Sequence, residues 1–193
     1  MTEKIIQDIL KIYNEKPHRL EHVIGVRDTA KKLGTIHNCD LRKLEIAALL
    51  HDVTKYYTYD EHKRLIESYF PNSAHILKEY NEHIVHAFSG VVIASTVYNV
   101  KDTDILDAIM SHTIGRPGMS IYEEIIFVSD YIEPHRTYDS CVKVRKIAFE
   151  SLTKATYTAI DDSIRFYEKN GGQIPETAYQ ARLYYKHKLE EPK

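Results

Sequence analysis

Apolar residues recur every three or four positions along almost the whole chain, the period of a helix with one buried face. Ile5, Ile9 and Ile12 share one face of a first helix, which Pro17 is expected to end. Leu20, Val23, Val26, Ala30 and Leu33 make the stripe of a second, with Gly34 as its expected stop. A third helix is predicted over 41–53 behind Asp40 as N-cap, and its run 46–50 is apolar nearly all round, as in a helix at the centre of a bundle. Asp60 is expected to cap a helix reaching Tyr69, stopped by Phe70-Pro71-Asn72. Residues 84–97 form a longer one, with Val85, Phe88, Val92 and Ala94 largely inward; the next starts at Asp102 or Thr103 and ends near Thr113, before a loop over 115–118. Ser120 followed by Glu123 is a capping-box signature for a helix to about Ile132. Residues 139–169 read as one long helix or two abutting ones, then Gly171-Gly172, then a terminal helix after Pro175. No run alternates strictly over more than a few residues, and no repeat or linker divides the chain. The expectation is an all-α helical bundle, one domain over 1–193.

Composition supports this. Seven glycines and six prolines leave few sharp turns for a multi-stranded sheet. A formal charge of −2 argues against a broad nucleic-acid-binding surface, although a local basic pocket for phosphate is compatible with it. No stretch approaches the roughly 18 apolar residues of a membrane span, and residues 1–14 lack the apolar core and cleavage site of a signal peptide. Cys39 and Cys141 fall in no C-x-x-C pattern and read as reduced thiols, so the expected compartment is the cytoplasm.

The chemistry gathers around His51-Asp52, directly after the apolar pair Leu49-Leu50. Ionisable side chains in that position are costly unless paired or bound to a metal. Adjacent helical residues point about 100° apart, so the two can approach one metal from neighbouring corners, or the carboxylate can bridge two. Alone, the dipeptide fits a capping or surface pair better. Its company changes the balance: His22 lies beside the stripe of the second helix, and Asp130 follows Ile126-Phe127-Val128. Imidazole and carboxylate together suit iron, manganese, cobalt or zinc better than calcium. Four donors, His22, His51, Asp52 and Asp130, suffice for one ion. Adding His86 and His112 supplies a second, with Asp52 as the natural bridge. Taken singly, each histidine is equally well explained as a core or surface residue. His83 shares a helix face with His86, and the remaining histidines His18, His37, His62, His75, His135 and His187 lie in polar stretches and are expected to be solvated.

Cations stand beside these donors. Lys55 follows Asp52 by about one helical turn, Arg19 precedes His22 by the same interval, Arg116 lies in the loop after His112 and Thr113, and Arg136 follows the helix of Asp130. Each is a candidate for phosphate and each also reads as a solvated surface charge. Gly171 and Gly172 could bring backbone N–H groups to an adenine or a phosphate, or form a plain turn.

The strings Pro17-His18-Arg19-Leu20-Glu21-His22-Val23, Ala48-Leu49-Leu50-His51-Asp52-Val53-Thr54-Lys55, His112-Thr113-Ile114-Gly115-Arg116-Pro117-Gly118-Met119 and Ser129-Asp130-Tyr131-Ile132-Glu133-Pro134 together resemble the YqeK family of HD-domain metal-dependent phosphohydrolases. The His-Asp pair is specific only to the superfamily; the last two strings are narrow signals, and the likeness covers nearly the whole chain. The resemblance implies a symmetrical bis(5′-nucleosyl)-tetraphosphatase that splits diadenosine tetraphosphate (Ap4A) into two ADP. It implies two metal ions, iron first, on His22, His51, Asp52, His86, His112 and Asp130. Phe88 and Ser129 depart from the family's usual small residues, and Phe88 is expected to reshape the pocket edge. The mechanism expected on this basis is attack on an inner phosphate by a metal-bridging hydroxide, with Asp52 bridging and accepting a proton and Lys55 reaching a phosphate. Substrate and product are the expected partners, with no nucleic acid or membrane, and a homodimer is compatible. A nucleotidase or guanosine-polyphosphate hydrolase on the same site, a non-catalytic metal-containing nucleotide sensor, and a metal-free interaction module are the competing readings.

Overall fold

The computed structural model describes residues 2–191, and these contain helices and connections but no strand. The helices are α1 (Thr2–Ile12), α2 (Pro17–Ile36), α3 (Leu41–Leu50), α4 (Tyr59–Tyr69), α5 (Ser73–Glu79), α6 (Glu82–Thr96), α7 (Thr103–Ser111), α8 (Ile121–Ile132), α9 (Asp139–Ala148), α10 (Leu152–Lys169) and α11 (Glu176–Glu190). Helix α3 is the central strut, packed by α1, α2, α7 and α8. Its apolar run explains that place: Ile46, Ala47, Ala48, Leu49 and Leu50 are all buried. Helix α8 lies beside it and also meets α2, α7, α9 and α10. No helix among the described residues is long and apolar enough to cross a membrane.

Several ends differ from the sequence reading, each for a physical reason. Pro17 starts α2 rather than ending α1, because at the first helical position its missing N–H is not needed. Helix α1 stops at Ile12, which is exposed, and Tyr13 turns inward in its place. Gly34 does not end α2: a Cβ there would overlap the side chain of Leu44, so this glycine allows α2 and α3 to approach closely, and the helix continues to Ile36. Thr58 caps α4 instead of Asp60, with Glu61 completing a capping box. Helix α5 is seven residues long, too short to carry a periodic stripe. The stretch 139–169 is two helices, and Ser151 caps the second. Helix α3 closes at Leu50, so His51 and Asp52 lie in the turn that follows. The caps Asp40, Asp102 and Ser120 are as read.

Candidate metal centre

Helix ends supply most of the site. His51 is the C-cap of α3, and its ring Nδ1 lies 2.6 Å from the carbonyl oxygen of Ala48, three residues back. His112, the C-cap of α7, repeats the arrangement at 2.6 Å from the carbonyl of Ile109. Each carbonyl belongs to the last turn of a helix and lacks an intrahelical donor. Each ring therefore donates from Nδ1 and presents the lone pair of Nε2 to the interior. His22, on α2, has its Nδ1 3.2 Å from Oε1 of Glu133, the residue that closes α8. His86, on α6, is held through its backbone carbonyl, which accepts from the hydroxyls of Thr54 (2.9 Å) and Ser89 (3.1 Å).

These rings converge on Asp52. Its Oδ2 faces His51 Nε2 at 3.4 Å, His22 Nε2 at 3.7 Å and Arg19 at 2.7 Å. Its Oδ1 faces His86 Nε2 at 3.1 Å, His112 Nε2 at 3.7 Å and Lys55 Nζ at 3.9 Å. Asp130, late in α8, places Oδ1 3.1 Å from His22 Nε2, 4.0 Å from His51 Nε2 and 2.8 Å from Arg136. All of these donors are buried except Asp130, which is half-buried.

The donor chemistry fits a divalent metal. The Nε2 atom of His51 is buried without a hydrogen-bond partner, that of His22 points at Asp130 Oδ1, and those of His86 and His112 face each other at 3.1 Å. Buried acceptors aimed at one another and at carboxylates call for a cation between them. The sets His22-His51-Asp130 and His51-Asp52-His112 each bring their ligand atoms within 4.8 Å of one another.

The electrostatics agree. Burial would raise the pKa of Asp52, but His51, His112 and His86 outweigh it and hold the carboxyl well below its ordinary range. Burial would likewise raise Asp130, and Arg136, His22 and His51 outweigh it. Burial pushes His86 down to about 4 and lowers His51 as well. Burial also pulls on His22, but Asp130 and Glu133 beside its ring push it up to about 9. Ionised Asp52 and Asp130 beside neutral His51 and His86 are the protonation state that ligation requires.

A cavity of about 250 Å³ opens on this cluster. Arg19, Lys55, Thr113 and Arg136 stand on its polar wall, and Thr113 Oγ1 is buried without a partner. Ile84, Ile114, Ile160, Ile164 and Ile174 form the apolar wall, with Asn81, Ser163 and Gln173 among them. Of the residues singled out in the sequence, the six metal candidates and these four therefore meet.

Three do not. Arg116 is committed to Glu123 by a two-point ion pair of 2.6 and 2.7 Å, and it lines a separate depression behind Phe88. Glu123 is fully buried, and its pairing draws the guanidinium away from the cluster. Gly171 and Gly172 sit in the turn after α10, and the cavity is lined instead by the next residues, Gln173, Ile174 and Pro175. Phe88 packs on Tyr80 and Phe70 rather than at the cluster.

Two functional neighbours escape the sequence reading. Glu133 is buried; besides facing His22, it accepts from the backbone N–H of His135 at 2.7 Å. The string Asp-Tyr-Ile-Glu-Pro contains it, and a carboxylate just before a helix-ending proline was the available signal. His62, expected in solvent, is buried, with Nδ1 2.7 Å from Ser89 Oγ, and so braces the hydroxyl that holds His86.

The HD domain family matches residues 19–135. The chain is 40 % identical over 162 residues to the symmetrical bis(5′-nucleosyl)-tetraphosphatase of Bacillus subtilis (strain 168), covering 83 % of this chain and 86 % of that one. It is 37 % identical to the protein of the same name from Halalkalibacterium halodurans, covering 83 % and 85 %. Among solved structures it is similar to a predicted HD superfamily hydrolase involved in NAD metabolism from Clostridium acetobutylicum. There the TM-score is 0.89 at 33 % identity, over 97 % of this chain and 98 % of that one.

Proposed function

The chain belongs to the YqeK family of HD-domain phosphohydrolases, and on that premise we propose that it is a metal-dependent hydrolase cutting Ap4A symmetrically into two ADP. The observation that carries the proposal is the division of Asp52: one carboxylate oxygen faces His22 and His51, the other His86 and His112. His22, His51, Asp52 and Asp130 would hold one ion, and Asp52, His86 and His112 its neighbour. The donor set suits iron, manganese, cobalt or zinc, and the family resemblance puts iron first. When bound, such ions supply Lewis acidity towards phosphoryl oxygens and bring the pKa of a water towards neutrality.

The protein's own groups do the rest. Asp52, held ionised by His51, His112 and His86, would serve both ions and accept a proton from the attacking water. Lys55, partly exposed beside Asp52, is a point charge for a central phosphate, and Arg19 and Arg136 offer their outer edges to the phosphates on either side. Thr113 Oγ1 adds a hydroxyl with no other partner. Water's oxygen ends on one of the two central phosphorus atoms. The bond from that phosphorus to the central bridging oxygen breaks, and this oxygen leaves with the second ADP. A phosphate leaving group needs less protonation than an alkoxide would. One domain over 1–193 is supported by a core that runs from Ile5 in α1 to Tyr185 in α11, and free thiols at Cys39 and Cys141 suit a reducing cytoplasm.

The test is anaerobic purification with metal content measured, followed by product analysis on Ap4A. ADP should be the sole nucleotide product, and Asp52→Ala should abolish turnover while its circular dichroism stays helical. AMP plus ATP would refute the symmetrical cut. A fully metallated protein that turns over no dinucleoside polyphosphate would point to the sensor instead.

A further inference from the structure

A substrate with a nucleoside at each end of four phosphates needs room on both sides of the metal ligands, and a second nucleoside site is required only if Ap4A is that substrate. The cavity bounded by the isoleucine wall provides one side only. At about 250 Å³ it lies just below the range for a single drug-sized ligand, roughly 300 Å³ and upward. Its apolar wall and few amide groups suit one base and ribose.

Arg19 and Arg136 form a partition. Both line this cavity, and both also line a second, more open groove of about 510 Å³. His22 and Glu133 contribute to that groove from the ligand side, while His18, Tyr56, His135 and Tyr138 rim it. Its charge favours an anion: the two arginines face it, and Lys16 sits 3.6 Å over the ring of Tyr56. Glu133, the one carboxylate lining the groove, is buried and already engaged by His22 and His135. Tyr138 is 74 % exposed, the most exposed of the large hydrophobic side chains among the described residues. Its backbone caps α9 without any side-chain bond, so neither packing nor capping explains an aromatic ring there. An exposed ring beside a cationic groove is a stacking platform for a base.

We propose that this groove holds the second nucleoside of the substrate, its base stacked on Tyr138 and its phosphates passing between Arg19 and Arg136 to the metal ligands. The experiment titrates ADP calorimetrically into the metal-loaded protein and measures KM for Ap4A. Wild type should bind two ADP per chain. Tyr138→Ala should weaken one of those sites and raise KM for Ap4A roughly tenfold, the size expected for one base–aromatic stack. Tyr138→Phe should restore both. One ADP per chain in wild type, or an unchanged KM in Tyr138→Ala, overturns the proposal. If wild type makes no ADP from Ap4A, the hydrolase reading fails by itself, and the count of ADP sites and their response to Tyr138→Ala still decide the groove.

Discussion

Gly25 lies on α2 about one turn after His22, and its missing side chain bears on the proposed metal ligands. A Cβ added there would lie 2.6 Å from Glu133 Oε2 and 3.3 Å from His135 Nδ1. Ordinary contact begins at roughly 3.5 Å, so the carboxylate of Glu133 must retreat by about 0.9 Å in Gly25→Ala. It has little room, because its two oxygens serve His22 at 3.2 Å and the N–H of His135 at 2.7 Å. Withdrawal loosens the hydrogen bond that fixes the tautomer of His22, and losses of this kind lower metal affinity by about 10- to 100-fold. Overpacking adds a stability loss of about 1–3 kcal/mol. Metal retained after dialysis against graded chelator, alongside urea midpoints, reads both effects. Glu133→Gln should lose metal affinity without the steric penalty. The double variant should fall short of the sum, since both changes act through one contact. Gly25→Ala with wild-type metal retention would refute the reasoning, because the glycine would then serve packing alone.

Two other substitutions probe buried charge away from the metal ligands. Arg116→Ala should leave KM for Ap4A within about twofold but destabilise the fold by about 2 kcal/mol, because fully buried Glu123 loses its partner. The figure sits below the usual range since the guanidinium is part-exposed and Ser120 N–H still donates to Glu123. A tenfold rise in KM with unchanged stability would return Arg116 to the phosphate site. Burial of His62 pushes its pKa below the ordinary 6.5, so the unfolded chain takes up the proton first. Stability is therefore full above about pH 6.5 and falls as pH drops below it; His62→Gln should reduce that slope by up to about 1.4 kcal/mol per pH unit. Urea midpoints between pH 5 and 7.5 check this, and an unaltered slope would refute it.

What the sequence made legible was what is decided locally. The stripes of α2, α3 and α8 follow from the 3.6-residue period, and Asp40, Asp102 and Ser120 cap through bonds to residues two or three positions on. The metal candidates stood out jointly, through the placement of four of them at apolar helix edges and through the family motifs that contain them. Contacts between distant segments were not legible. Glu133 meets His22 across 111 residues, and His62 meets Ser89 across 27, so neither has a neighbour in sequence that betrays its role. Arg116 misled for the opposite reason. Glu123 already had a complete local explanation as the partner of Ser120 in a capping box, and nothing in the string shows that the same carboxylate also takes the guanidinium. Gly34 looked like a stop because only the packed α2–α3 pair shows why a side chain is forbidden there.

The order His-Asp at the end of a buried helix now has a physical reason. A helix that ends in the core leaves carbonyls without donors, and burying them unpaired is costly. At α3 the ring of His51 meets that need at Ala48 and, in doing so, turns Nε2 inward. The next residue has left the helix. The backbone carbonyl of Asp52 accepts from Tyr13 Oη at 2.7 Å and from Lys55 N–H at 2.8 Å, which fixes the turn with the carboxylate among the imidazoles. Tyr13 is buried and belongs to the segment after α1, so the first helix helps to set the Asp52 carboxylate. At α7 the same capping device positions His112 with no aspartate behind it, and Thr113 lines the cavity instead. Two helix ends thus perform one structural task in the same way, and the residue after each decides whether that end adds a carboxylate among the imidazoles or a hydroxyl on the cavity wall.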